Sequence, residues 1–155
     1  MAKTRYTLPG VASSITANTP KTVISVLAPA QFGCDLVAFE LSFEGATSTA
    51  KPARWELCSL SNAAAGTSTA VTAQQVSGRV ITAGFTGGTN YTAEPTVLTP
   101  IRADYVSVYG GLLVIEFGAL TGYDSDVSKG FALRITTAAA EPTVNANGTL
   151  VVERC

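Results

Sequence analysis

The sequence predicts an all-β protein, an antiparallel β-sandwich of the jelly-roll type, and three observations lead to this prediction. Roughly seven to nine short runs rich in β-branched and aromatic residues recur along the chain. Turn signals containing glycine, proline or asparagine separate these runs, as is typical of sandwiches and barrels. No segment has the spacing of an amphipathic helix, so a parallel sheet covered by helices is not expected.

Size and composition narrow the possible functions. The 155 residues suit one domain whose core needs neither disulfides nor metal. Lys and Arg number 10 and Asp and Glu number 11, so the formal charge is −1 and neither nucleic acid nor a membrane is an expected partner. Histidine, the commonest general base and transition-metal ligand, is absent from the sequence. We therefore expect no enzymatic activity, no cofactor and no metal.

Residues 1–20 are predicted to form an extended N-terminal arm, and residues 21–155 the β-sandwich domain. Prolines and a glycine interrupt the first segment, and neither a strand period nor a helix period persists in it. Leu8, Val11 and Ile15 make the arm apolar enough to lie in a groove of a neighbouring subunit. A frayed terminus is the alternative.

The first twenty residues also bear on where the protein is made. They contain two basic residues but no apolar run of roughly 7–15 residues, which a secretory signal requires. No stretch of the chain approaches the roughly 20 apolar residues of a membrane span. We therefore expect synthesis in the cytoplasm without a signal peptide.

The first strands of the domain are predicted from β-branched runs and from alternation. Residues 23–27 (VISVL) form a short run of this kind. In residues 36–43 (LVAFELSF) most large apolar side chains fall on odd positions, which predicts a half-buried strand with that face inward. In residues 53–60 (ARWELCSL) the only tryptophan, Trp55, is predicted to anchor the core.

The middle of the chain carries weaker signals. Residues 67–76 are predicted to be strand rather than helix because of their threonine and valine content. Residues 84–90 (GFTGGTN) are rich in glycine and are predicted to form an exposed loop. Residues 96–99 lie between two prolines and suit an edge strand, where a missing amide hydrogen is tolerated.

The last third carries the clearest hairpin signal. Residues 105–109 (YVSVY) and 112–117 (LLVIEF) are joined by a Gly-Gly pair, which predicts a hairpin. Residues 131–137 (FALRITT) alternate and are predicted to place their phenylalanine, leucine and isoleucine inward, and residues 149–154 form the last predicted strand. An immunoglobulin-like sandwich is the nearest alternative, but no pair of cysteines fits around the single tryptophan.

Acidic residues are the first candidates for chemistry. Asp124 and Asp126 have a spacing found in calcium sites, but no further acids accompany them and a solvated turn is favoured. Four glutamates lie on or beside predicted strands, and two of them could face each other as glycosidase acids. Outward glutamates also protect sheet edges from pairing, which is the favoured explanation. These glutamates are Glu40, Glu44, Glu56 and Glu116.

The three cysteines are not expected to form a metal site or a disulfide framework. Their number is odd and their spacing is wide. Cys34 and Cys58 lie in apolar runs and are predicted to be buried thiols. Cys155 is the last residue, and its context does not match a prenylation motif.

Candidate interface residues come from the predicted arm and from the tyrosines. Exposed tyrosines at strand ends often anchor interfaces. Tyr105 and Tyr109 are four residues apart on one predicted strand and would share a face, although core packing is an equal alternative. The predicted interface set is Tyr6, Leu8, Val11, Ile15, Tyr105 and Tyr109.

Three segments rich in alanine, threonine and glycine carry a resemblance to a known family. They are residues 21–58, 90–100 and 130–140, in which charge is low and short strands recur regularly. In these features the chain resembles small β-sandwich structural proteins of tailed bacteriophages, and it is most similar to their head decoration, or cement, proteins. The resemblance spans most of the chain after residue 20 and contains no diagnostic motif, so it transfers no functional residues.

The resemblance implies a function and a location. It implies a jelly-roll module, often a homotrimer, that sits on the outer capsid surface of the virion and stabilises the shell by bridging major capsid protein subunits. Two alternatives from other classes stay open. One is a carbohydrate- or cell-surface-binding module that uses Tyr105, Tyr109 and Trp55, and the other is a phage tail or baseplate component.

Overall fold

A computed structural model describes residues 4–61, 65–78, 80–118 and 122–155. Every extended regular element in these ranges is a β-strand. Within the same ranges, no helix has the length and apolarity needed to span a membrane. The strands are β1 Arg5–Pro9, β2 Ser13–Ile15, β3 Lys21–Leu27, β4 Cys34–Glu44, β5 Ala53–Ser61, β6 Thr67–Val71, β7 Gln74–Ser77, β8 Thr86–Ala93, β9 Leu98–Val106, β10 Leu112–Glu116, β11 Tyr123–Ser125, β12 Lys129–Thr136 and β13 Val144–Arg154.

The strands form two antiparallel sheets, which confirms the predicted β-sandwich. Sheet A has the order β10-β4-β13-β1-β7, with β11 paired to β4 and β2 paired to β13. Sheet B has the order β6-β8-β3-β12-β5-β9. Strands β9 and β10 therefore lie at the ends of their sheets, on the same side of the sandwich.

The order of eight of these strands is that of a jelly roll. In sheet A they are β1, β13, β4 and β10, and in sheet B they are β3, β12, β5 and β9. Along the chain they alternate between the sheets, except that β5 and β9 both lie in sheet B, and this is the order of a jelly roll. Strands β6 to β8 follow β5 in the chain and do not belong to these eight strands. They extend both sheets on the side away from β9.

The space between the sheets is filled by large apolar side chains, as the alternating patterns predict. Phe131, Leu133 and Ile135 on β12 are buried, which confirms their predicted inward face. Trp55 on β5 is 2% exposed and lies 5.2 Å, between ring centroids, from Phe39 on β4. The single tryptophan thus connects the two sheets, and its predicted core position is confirmed.

Strand β4 departs from strict alternation at one residue. Phe39 and Leu41 point inward as predicted, but Leu36 is buried where Val37 was expected to be. The register with β13 shifts at this point, because Val151 pairs with Ala38 and Val152 pairs with Leu36. A β-bulge inserts one unpaired residue and so reverses the inward and outward faces on either side of it.

The structure corrects the expected N-terminal arm over its described residues, 4–20. Strand β1 lies inside sheet A, between β13 and β7, and β2 pairs with β13. Tyr6 and Leu8 are 1% and 0% exposed, and Ile15 is equally buried. Leu8 and Ile15, two of the three apolar side chains that suggested a neighbour's groove, fill the chain's own core, whereas Val11 is exposed. Tyr6 and Leu8 alternate with outward residues on a five-residue strand.

The glycine-rich segment is also corrected, because Thr86–Ala93 forms strand β8 within sheet B rather than an exposed loop. Gly87 and Gly88 are buried. A Cβ atom on Gly87 would lie 2.6 Å from Leu8 Cδ2, and one on Gly88 would lie 2.4 Å from Ser68 Oγ. These glycines therefore allow close packing inside a strand, a role that differs from the predicted turn.

The predicted hairpin around the Gly-Gly pair does not form. Strand β9 pairs with β5 in sheet B, whereas β10 pairs with β4 in sheet A. The connection at residues 107–111 therefore crosses from one sheet to the other. A Cβ atom on Gly111 would lie 2.1 Å from the Ser107 carbonyl oxygen, so the tight crossing requires glycine at this position.

Candidate interaction surface

The structure divides the six predicted interface residues into two groups. Tyr6, Leu8 and Ile15 are buried in the core, so they are corrected from interface to core residues. The hydroxyl of Tyr6 donates a hydrogen bond to the Ile81 carbonyl oxygen at 3.1 Å, which gives this buried polar group a partner. The second group, Val11, Tyr105 and Tyr109, is exposed to solvent.

The prediction that Tyr105 and Tyr109 lie on one strand is wrong. Tyr105 lies on β9 and is 67% exposed, whereas Tyr109 lies in the connection to β10 and is 56% exposed. Tyr105 is the cross-strand partner of Arg54 and so points outward from sheet B. Both side chains are available to a partner, but they lie on different elements.

Exposed apolar side chains are concentrated on the side of the sandwich that carries β9 and β10. Of the eleven large apolar side chains exposed in the described part of the chain, six lie between residues 97 and 114. Scattered apolar residues are normal on a surface, whereas clustering marks an interaction site. The six are Val97, Ile101, Tyr105, Tyr109, Leu112 and Val114.

Four of these six residues, Val97, Ile101, Leu112 and Val114, were not predicted from the sequence. Leu112 and Val114 on β10 pair with Ser42 and Glu40 on β4, and these partners face away from the core. Both are exposed because they lie on the outer face of sheet A, which is open to solvent. Together with Tyr109 they form an apolar surface, here called the β10 surface, which Glu40 and Glu116 border on the same face of sheet A.

Strand β9 presents a different surface, because nearly its whole length is exposed on both faces. It carries two charged residues, Arg102 and Asp104, which pair with Leu57 and Trp55 and so lie on one face. The Arg102 guanidinium carbon lies 5.8 Å from the centre of the Trp55 ring. An Asp104 carboxylate oxygen accepts a hydrogen bond from the Tyr105 amide at 2.8 Å.

The aspartate pair considered as a calcium site lies in a cleft of about 500 Å³ at one end of the sandwich. Asp126 accepts a hydrogen bond from the Val127 amide and lies 4.0 Å from the Lys129 ammonium, while Asp124 lies on β11. Over the ranges that the structure describes, no three side chains of the metal-ligating types form a group that could hold a metal ion. The arrangement fits a solvated turn with its own counter-charge.

The four glutamates considered as glycosidase acids do not share one cleft. Glu56 lies on the outer face of sheet B, is 5% exposed, and accepts hydrogen bonds from Arg134 at 2.7–2.8 Å. Arg54 contacts its other carboxylate oxygen at 3.0 Å. Glu40 and Glu44 lie on β4 in sheet A, and Glu116 lies on β10 beside it. Glu56 is thus occupied by two arginines and separated from the others by the sandwich.

The three cysteines form no disulfide, and two of them are buried as predicted. Burial raises the pKa of the Cys34 thiol far above its ordinary value, because the thiolate would lose its hydration. Burial likewise raises the pKa of Cys58 from 9.0 to about 11. Cys155, in contrast, is exposed.

Thiol reactivity and stability should follow these pKa shifts. At pH 8 a disulfide reagent is expected to label one thiol rapidly in the folded protein, Cys155, and three thiols in denaturant.

Below pH 9 the buried thiols are neutral in both states. Between pH 9 and 11 the thiols ionise in the unfolded chain alone, so the free energy of unfolding should fall as pH rises. Chemical denaturation of the Cys58→Ala variant should show a free energy of unfolding that falls less steeply with pH across this range than that of the parent protein. Equal slopes would contradict the raised pKa of Cys58.

Comparisons with known proteins add little to this geometry. No protein-family model and no curated protein matches the chain. Among solved structures, it is similar to a chain in a structure of infectious bursal disease virus, Gx strain, with 13% identity over 99% of this chain and 42% of that chain, at a TM-score of 0.24. A second similar chain is from the VP2 subviral particle of the same virus, with 15% identity over 97% of this chain and 41% of that chain, at a TM-score of 0.24.

The class of the protein therefore rests on its own topology. The chain spans less than half of the length of each viral chain that it matches. At TM-scores this low the likeness carries no argument about fold or function. The strand order itself defines a jelly-roll β-sandwich, and the surfaces on β9 and β10 are the features from which a function can be argued.

Proposed function

We propose that this protein is a non-enzymatic structural component of a bacteriophage virion, which decorates the outer capsid surface and stabilises it by bridging major capsid protein subunits. The observation that carries the proposal is the β10 surface, formed by the exposed apolar side chains of Tyr109, Leu112 and Val114 at the edge of a two-sheet sandwich. The resemblance of the sequence to head decoration proteins supplies the biological setting.

The physical properties of the β10 surface suit attachment to a shell. Burial of apolar area contributes about 25 cal/mol per Å² before the costs of association are subtracted. Its three side chains carry no charge, so their own burial costs little desolvation, whereas Glu40 and Glu116 lie beside them at its border. A capsid repeats the same contact many times, and a subunit that touches two neighbours gains from the second contact through effective concentration. A modest surface can therefore hold a shell together.

The oligomeric part of the proposal is the homotrimer that the resemblance implies. A trimer places three copies of the β10 surface around one axis, so one decorating unit contacts several capsid subunits at once. Sedimentation of the purified chain at low concentration tests this state directly.

Substitutions on the β10 surface test attachment. The Y109S/L112S variant is expected to bind decoration-free phage shells at least tenfold more weakly than the parent protein in a co-sedimentation assay, because two exposed apolar contacts are removed. V76S is the matched control, since Val76 is 60% exposed on β7, at the opposite edge of sheet A. Both variants should keep the parent melting temperature within a few degrees. Equal shell binding by the parent and Y109S/L112S would refute attachment through this surface.

Carbohydrate binding is the second candidate function, and the exposure of Tyr105 and Tyr109 favours it. Aromatic rings that are open to solvent can stack on sugars. Trp55 is excluded as a sugar-binding residue because it is buried in the core. A glycan array probed with the parent and with Y105S separates the two functions. A glycan signal that Y105S loses supports the sugar-binding module, whereas shell binding with an empty array supports decoration. A tail or baseplate location predicts binding to tails rather than to shells.

A further inference from the structure

Strand β9 is an edge strand that its own chain leaves open. It pairs with β5 on one side, and no described strand pairs with its other side. Seven consecutive residues, 99–105, are exposed. An open edge of this length is a template for pairing with another strand.

The charges on β9 are arranged so that the strand is complementary to itself. Arg102 and Asp104 lie two residues apart on the same face, with Ala103 between them. In an antiparallel pair, the residue numbers of two directly opposed residues always add up to the same total. If Ala103 of one copy lies opposite Ala103 of a second copy, each Arg102 lies opposite an Asp104, and two ion pairs form.

We propose that two copies of this chain pair antiparallel through their β9 edges, about a two-fold axis at Ala103. The amide of Tyr105 faces the open edge, since it donates to the Asp104 carboxylate rather than to β5. Ala103 has the same orientation as Tyr105, because alternate residues of a strand direct their backbone groups to the same side. Ala103 of each copy can therefore exchange two backbone hydrogen bonds with Ala103 of the other.

Neighbouring registers are disfavoured by the same charges. A shift that centres the axis on Asp104 places two carboxylates opposite each other, and a shift to Arg102 places two guanidinium groups opposite each other. Like charges in directly opposed positions destabilise a strand pair. In the proposed register Ile101 lies opposite Tyr105 of the second copy, so two exposed apolar side chains also gain contact.

Features of β9 keep this contact short and reversible. Pro100 lacks an amide hydrogen, and the pairing with β5 shifts register between Arg102 and Pro100. The Asp104 carboxylate covers the Tyr105 amide in the single chain, and it must exchange this bond for Arg102 of the second copy. A contact of about five residues lies at the small end of protein interfaces, so we expect association only at high protein concentration.

The pairing does not depend on attachment to a capsid. A two-fold contact joins two subunits and cannot close a ring of three. It would therefore link two decorating units to each other rather than build one unit. The β10 surface remains uncovered, because Tyr109, Leu112 and Val114 lie outside β9.

Charge reversal with a mixing step tests the proposal. The purified protein, R102D, D104R, the R102D/D104R double variant and an equimolar mixture of the two single variants are compared by sedimentation equilibrium at low salt. The parent is expected to show a weight-average mass that rises with concentration. Each single variant should associate at least tenfold more weakly, because like charges then oppose each other. The double variant and the mixture should associate like the parent, since both restore opposite charges across the axis.

The outcomes separate pairing from changes in folding. Rescue by the mixture shows that both single variants are folded and that residues 102 and 104 meet across two copies. Addition of 1 M NaCl should weaken association of the parent, because screening shortens the range of ion pairs to about 3 Å. Association of R102D at the parent's strength would overturn the proposal. The proposal would also be overturned if the parent protein kept its smallest mass up to millimolar concentration. The same holds if mixing the two single variants did not restore association.

Discussion

Removal of residues 1–9 is expected to leave a chain that cannot fold. These residues include β1, which lies between β13 and β7 and so contributes hydrogen bonds to two neighbours. Tyr6 and Leu8 are buried, and Tyr6 packs edge-on against Phe85 with ring centroids 5.4 Å apart. Loss of one large core side chain costs about 2–5 kcal/mol, and the whole stability of a domain is about 5–15 kcal/mol.

Circular dichroism and thermal unfolding of the truncated chain provide the measurement. We expect loss of the cooperative transition and exposure of sheet edges that promote aggregation. P9A is a suitable control, because Pro9 is exposed at the end of β1 and its replacement should shift stability by less than about 1 kcal/mol. A truncated protein with a native spectrum and a cooperative transition would restore the idea of a detachable arm.

Trp55→Ala is expected to destabilise the protein by about 3–5 kcal/mol, the range for deleting a large aromatic ring from a core. Trp55 packs against Phe39 of the opposite sheet, so its loss opens a cavity where the sheets meet. The rigid strands around this cavity can close it only in part, which is why the cost exceeds the loss of apolar contact.

Chemical denaturation measures this effect. The matched control is Tyr105→Ala, which removes an exposed aromatic ring from the adjacent strand β9 and should change stability by about 0.5 kcal/mol or less. Trp55→Phe should recover part of the loss because an aromatic ring still fills the site. If the denaturation midpoint of the Trp55→Ala variant is close to that of the Tyr105→Ala variant, the tryptophan does not organise the core.

Regular alternation made much of the fold predictable. Phe131, Leu133 and Ile135 are separated by residues that can face outward, and this period identifies the inward face of β12. The short run around Tyr6 and Leu8 gives too few repeats to stand out between prolines and glycine. The bulge at Val37 depends on the register with β13, which is a distant segment of the chain. Such tertiary effects leave no local signal.

The candidate surfaces were harder to predict than the core. Tyr105 and Tyr109 were selected as exposed residues, but the change of sheet between them was hidden because a Gly-Gly pair also fits a hairpin. Leu112 and Val114 belong to a continuous apolar run, which is typical of a strand buried on both faces. The structure shows that one of those faces is the outer face of sheet A, beside the exposed Glu40, and is open to solvent.

The pairing of β1 with β13 has a consequence for synthesis. Arg5 lies beside Glu153, so strand β1 is completed by a segment that is translated long after it. Sheet A cannot close on the ribosome until residues 144–154 have left the exit tunnel. Sheet A is therefore incomplete during most of the synthesis of this domain, and the domain's high share of distant strand pairs predicts slow folding.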